Sequence, residues 1–163
     1  MQEHLIFTYR FNLGHIRSLV KDLTDEQMVA QPHGVVNHPA WTLKHLGSSA
    51  NYVAKTLGLE STFPPDWEAT PTVDGLPSGD ASQYPSKAEL LAELTAQHER
   101  VATALASVDP GLFAKEFPEE GMRKYFPRIG DALSYMLTAH EATHIGQLAA
   151  WRRAMGMAGS AGE

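Results

Sequence analysis

At 163 residues the chain has the length of one domain with one sizeable core. A net charge of -6, with no basic cluster beyond Arg152-Arg153, excludes a phosphate-backbone binder, which needs a basic face. Cysteine is absent, which excludes disulfides, thiolate ligands and a cysteine nucleophile; any metal must be held by His, Asp or Glu, and any thiol must arrive with a substrate.

No apolar run approaches the ~18 residues of a bilayer span, so no membrane segment is expected. The start, Met1-Gln2-Glu3-His4, lacks a basic segment followed by an apolar one, so no signal peptide is expected and the location reads as cytoplasmic.

The first predicted helix covers about Glu3 to Leu23, because Ile6, Tyr9, Leu13, Ile16, Val20 and Leu23 recur three and four apart and make one apolar seam. His15 falls off that seam and reads as a surface residue. Thr24 and Gln27 form a capping-box pattern, but Gln31-Pro32-His33-Gly34 breaks the chain soon after, so only a short turn is expected there. His33 reads as an exposed loop residue.

Asn37 is the expected N-cap of the second helix, with Pro39 in the first turn and Gly58 as the stop. Leu43, Leu46, Ala50, Val53 and Leu57 form its seam, and Trp41, His45 and Tyr52 lie beside it. The small residues Gly47, Ser48 and Ser49 leave room for a close approach. From Leu59 to Pro85 the character changes. Five of the ten prolines lie here, and every charged residue is acidic. This stretch is predicted to be an acidic crossover covering one end of a bundle, held down by Phe63, Trp67 and Tyr84.

Ser86 and Glu89 make a second capping box. The third helix follows to Val108, with Leu91, Leu94, His98, Val101, Leu105 and Val108 as its seam. His98 has no metal-spaced neighbour and reads as a core or rim histidine. After Asp109-Pro110-Gly111, a second connection carries Phe113, Phe117, Tyr125 and Phe126 to the last helix, Ile129 to Met155, which Gly156 stops. No strand-like alternation of useful length is found. Four amphipathic helices of roughly twenty residues predict an all-α fold, a four-helix up-down bundle with a long connection between helices 2 and 3. The bundle domain is expected over 1–157 and a flexible tail over 158–163.

The chemistry is carried by His140-Glu141-Ala142-Thr143-His144 in the last helix. Residues four apart share a helix face, so the two imidazoles stand side by side within reach of one cation. They interrupt a stripe of Leu133, Leu137, Leu148 and Trp151, so they point inward. A pair of neutral imidazoles at this spacing is a ligand set for zinc, nickel or copper.

His140-Glu141-x-x-His144 also matches the short zinc-protease signature, with the Glu as general base. The extended form of that motif requires a glycine and a third histidine where this chain has Gln147 and Ala150. The only acidic residue after His144 is Glu163, so the protease reading lacks its third ligand. Taken from upstream, the best third ligand is His45, in mid-helix on a partly buried face. Three imidazoles leave coordination positions open for water or substrate. Glu141 reads two ways, as a supporting or proton-transferring carboxylate or as a plain surface one. Gln147, Asn37, His38 and Trp41 are further pocket candidates, His38 also as a helix cap.

Asn37-His38-Pro39-Ala40-Trp41-Thr42-Leu43-Lys44-His45-Leu46, followed much later by His140-Glu141-Ala142-Thr143-His144-Ile145-Gly146-Gln147-Leu148 and a basic pair, resembles the DinB/YfiT-like superfamily. The resemblance covers nearly the whole chain. It implies a four-helix bundle that holds a divalent metal, zinc or nickel, through His45, His140 and His144, and that forms a homodimer. It also implies activities such as thiol S-transfer or isomerisation with low-molecular-weight thiols, or hydrolysis, on a small-molecule substrate. Three readings follow: a metal-dependent thiol S-transferase or hydrolase, with Glu141 in the catalytic apparatus; a small metalloprotease; and a non-catalytic, metal-stabilised interaction or stress-response bundle.

Overall fold

Apolar residues at every third or fourth position draw four long segments of this chain into helices, and the computed structural model describes residues 2–69 and 71–158 of them and their connections. Helix α1 spans Gln2–Val20, α2 is the short turn Asp25–Met28, α3 spans Pro39–Thr56 and α4 spans Lys87–Ser107. The last helical segment is composite: α5, Ile129–Ser134, passes through a π-helical stretch, Tyr135–His140, into α6, Glu141–Ala154. No described helix is long and apolar enough to cross a membrane. Of the predicted tail 158–163, all but Ala158 lies outside the described residues.

Each start has a local cause. Both capping boxes form: Thr24 with Gln27, and Ser86 with Glu89. The cap of α3 is a correction. It is His38, not Asn37, whose Nδ1 accepts from the Trp41 backbone N–H at 3.2 Å, ahead of Pro39 in the first turn.

The fold is all-α, and its four long segments pack in a ring: α1 touches α4 and α6, and α3 touches α4 and α6. Their directions follow from the contacts. Gln2 at the start of α1 donates to Val108 O beyond the end of α4 at 3.0 Å, and Arg10 pairs with Glu99, so α1 and α4 are antiparallel. Arg152 near the end of α6 reaches Leu19 O near the end of α1, so these two run the same way. The long crossover returns the chain to the starting end before α4 begins. Hence α3 and α4 are parallel, and the order of directions is up, down, down, up.

The core divides into two apolar layers. One gathers Leu13, Ile16, Leu43, Leu46, Leu90, Leu94, Ile145 and Trp151; the other gathers Tyr9, Ala50, Val53, Val101, Leu105, Leu133, Leu137 and Phe117. Between them, on α1, α4 and the last segment, fall the buried polar residues Asn12, His98, Glu141 and His144.

The crossover is ordered by side chains. Phe63 is buried against Gly47, where an added Cβ would stand 3.1 Å from the ring, so the small residue is what lets the loop close down. The Asn51 side chain holds Ser61 Oγ and the Thr62 N–H. A two-residue hairpin, β1 Thr72–Val73 and β2 Leu76–Pro77, turns on Asp74-Gly75 at φ 51° and 78°. Positive φ at both turn positions is what Asp-Gly supplies. Each strand is two residues long, too short to register as an alternating pattern in the sequence.

Candidate metal centre

His45 sits in the middle of α3, His140 closes the π-helical stretch, and His144 follows one turn later in α6. The antiparallel approach of α3 and α6 brings the three together. His45 Nε2 lies 3.1 Å from His140 Nε2, and His144 Nε2 lies 3.3 Å from the same atom. All three offer a ligand nitrogen within 4.8 Å of the others. Nitrogens about 2.0–2.1 Å from one tetrahedral cation stand roughly 3.3 Å from each other, so the spacing fits a single ion.

The chemistry of the donors fits as well. Burial, then the charge of a second and third imidazole, pushes His45 down to about 4. Burial and His144 push His140 down to about 4. Burial lowers His144 too, against the opposing pull of Gln147. At neutral pH all three rings are uncharged and can present a lone pair.

Neighbours fix two of the rings. The Nδ1–H of His144 donates to Gln147 Oε1 at 2.9 Å, which leaves its Nε2 as the free lone pair. Trp41 stacks flat on His45, with centroids 4.9 Å apart and planes 5° apart. On the other side Tyr135 is 6.0 Å from His140, and Phe126 is 5.3 Å from Tyr135. Tyr135 is 42% exposed, so an aromatic face opens to solvent beside the cluster.

Among the pocket candidates, Trp41 and Gln147 touch the cluster. His38 does not: it is fully buried, caps α3 and places Nε2 2.9 Å from Ser78 O in the crossover. Asn37 precedes that cap.

Glu141 is not a surface carboxylate. It is 3% exposed, and its Oε1 lies 2.8 Å from Nε2 of His98, which is 1% exposed. The approach is short, though His98 Nε2 does not meet hydrogen-bond geometry there. His98 in turn stacks on Tyr9, with centroids 3.8 Å apart and planes 7° apart. Burial raises the Glu141 pKa, partly offset by His98 and Asn12. The signal for this burial was present in the sequence: Leu137, Glu141, Ile145 and Leu148 share one helix face, so Glu141 stands in an apolar row.

Arg152 was also unforeseen. It is 2% exposed and donates to Leu19 O at 2.8 Å, to Ala158 O at 2.7 Å and to both Asp22 carboxylate oxygens at 2.6 and 2.9 Å.

No curated protein and no solved structure matches the chain. Residues 8–148 match the family model of the DinB superfamily, a span that holds His45, His98, His140, Glu141, His144 and Gln147. With that much of its length matched, over an all-α fold and a cluster of three convergent histidines, the chain belongs to the DinB superfamily.

Proposed function

We propose that His45, His140 and His144 bind one divalent cation, zinc or nickel, and that the protein is a metal-dependent enzyme that activates a thiol or a water for attack on a small electrophile. The observation that carries this reading is the convergence of three neutral Nε2 atoms at 3.1 and 3.3 Å. A cation bound there would act as a Lewis acid, lowering the pKa of a thiol or water at its open position.

The chain's own residues supply the rest. Gln147 and Trp41 hold His144 and His45 in orientation. Tyr135 and Phe126 offer an apolar wall for the body of a small substrate. The thiol, in the transferase form of the reaction, is a low-molecular-weight cosubstrate, since the chain has none of its own. A homodimer in the cytoplasm completes the proposal.

Two arrangements weigh against the other readings. A zinc protease needs the Glu of His-Glu-x-x-His facing the metal-bound water, whereas Glu141 is buried and engaged with His98. A purely structural site needs a fourth protein ligand, whereas the described residues supply three.

Elemental analysis of untagged protein beside the His45→Ala variant tests the reading. One metal per chain, largely lost in the variant, supports it and directs thiol-transfer and hydrolase screens of the loaded protein. Metal kept at full stoichiometry without His45 would overturn the three-histidine site.

A further inference from the structure

The polar level of the core contains atoms that no group among the described residues satisfies. Tyr9 O–H, Nδ1 of His140 and Oε2 of Glu141 are all buried without a hydrogen-bonding partner. Tyr9, His140 and Glu141 line one small cavity of about 10 Å³, whose wall also includes Ser49, Ala50 and Leu137. That is room for one water, and a buried water is stable where two to four polar groups converge on it. Buried polar atoms are almost always paired, so three orphans around one water-sized space call for a common partner.

We propose that this cavity holds one buried water that carries a hydrogen bond from His140 Nδ1–H to the Glu141 carboxylate, making Glu141 the positioning residue of His140. The inference rests on the metal reading above and names a support for one of its ligands. The water accepts from His140 Nδ1–H, donates to Glu141 Oε2 and takes Tyr9 O–H as its third partner. Glu141 itself is braced by His98 Nε2 at 2.8 Å, and His98 by the flat ring of Tyr9 at 3.8 Å.

The consequence is a symmetric logic around the cluster. A histidine that binds metal through Nε2 needs its Nδ1–H engaged, which fixes the tautomer and aims the ring. Gln147 does this for His144 directly. Among the described residues His140 Nδ1 has no such neighbour, and the water supplies one. Helices α1 and α4, which contribute no ligand, thereby hold the metal centre through Tyr9 and His98.

Two measurements on Tyr9→Phe and Glu141→Gln test this. In competition with a chelator for Zn²⁺, each variant is expected to bind about tenfold more weakly than the wild type, the lower end of supporting-residue effects. In long-range ¹H–¹⁵N spectra of the metal-free protein, His140 is expected as the Nδ1–H tautomer, and as a mixture of tautomers in both variants. Zn²⁺ affinities within twofold of the wild type in both variants would overturn the proposal. So would an Nε2–H tautomer of His140 in the wild type. If the wild type binds no metal at all, the metal reading fails, and the tautomer spectra alone decide this inference. Tyr9→Phe removes one oxygen and keeps the ring stack, so it reports even if Glu141→Gln disturbs folding.

Discussion

Trp41 lies flat against His45, 4.9 Å between centroids, while the same indole is tilted against His144 at 5.9 Å. One side chain thus limits the swing of two of the three clustered histidines. Replacing it with an aliphatic residue should leave the fold intact, because Trp41 is only partly buried at the edge of the core. Trp41→Leu is expected to weaken Zn²⁺ binding by about tenfold, as loss of an orienting neighbour does. Chelator competition measures this. An unchanged affinity would mean that the backbone of α3 alone aims His45.

Gln147 offers a pair of changes with opposite signs. Gln147→Leu leaves the His144 Nδ1–H without its acceptor and should cost roughly 10–100-fold in metal affinity. Gln147→Glu keeps an acceptor and adds charge that makes the imidazole a stronger donor, so its affinity should equal or exceed that of the wild type. If both variants weaken binding alike, the contact at 2.9 Å does not orient His144.

Arg152 ties the end of α6 to the end of α1. Its guanidinium satisfies Leu19 O, Ala158 O and both oxygens of Asp22. Removing it leaves the buried Leu19 carbonyl unpaired, whereas Asp22, 43% exposed, returns to water. Arg152→Met should therefore cost about 2 kcal/mol, less than the loss of a fully buried pair. For a chain of this size that lowers Tm by roughly 4–8 °C. Arg152→Lys should recover little, since a single ammonium cannot span both carboxylate oxygens. Thermal melts decide it.

His38 should leave a mark on the pH dependence of stability. Burial lowers its pKa below 6.5 in the folded protein, while the unfolded chain keeps about 6.5. With Nδ1 accepting from Trp41 N–H and Nε2 facing Ser78 O, a second ring proton would point at a donor. As pH falls below 6.5 the unfolded state takes up a proton that the folded state refuses, so stability is full above that value and declines below it. His38→Asn keeps a good N-cap and cannot titrate. Melts from pH 8 to 5, both proteins in chelator, should show a shallower decline for the variant. Equal slopes would refute the assignment.

The helices and the histidine cluster were legible in the sequence because both rest on short-range spacing. Seams such as Leu13, Ile16 and Val20 repeat within one turn, and His140 and His144 stand four apart. His45 required the assumption that α3 and the last helix face each other, which the family resemblance supplied. The pairing of Glu141 with His98 joins positions far apart in sequence on different helices, and His-Glu-x-x-His drew Glu141 toward the metal. Arg152 was missed because a charged residue in a basic pair reads as solvated. The Asp74-Gly75 turn was missed although its dipeptide announces it, because the acidic, proline-rich context reads as loop. The π-helical stretch has no side-chain signature: it is a shift of backbone hydrogen bonds by one residue.

That stretch ends on His140 and therefore separates the last helix into two parts with independent rotational settings. One extra residue turns everything beyond it by about 100° relative to the part before. Ahead of it, Ala132 and Leu133 are set by packing against the core; beyond it, His144 is set by the histidine cluster. A one-residue deletion within 135–139 would restore a plain α-helix, spare α5 and swing both histidines away from His45. A single inserted codon is thus enough to convert an ordinary bundle helix into one that carries a coordination site, and a single lost codon is enough to erase it.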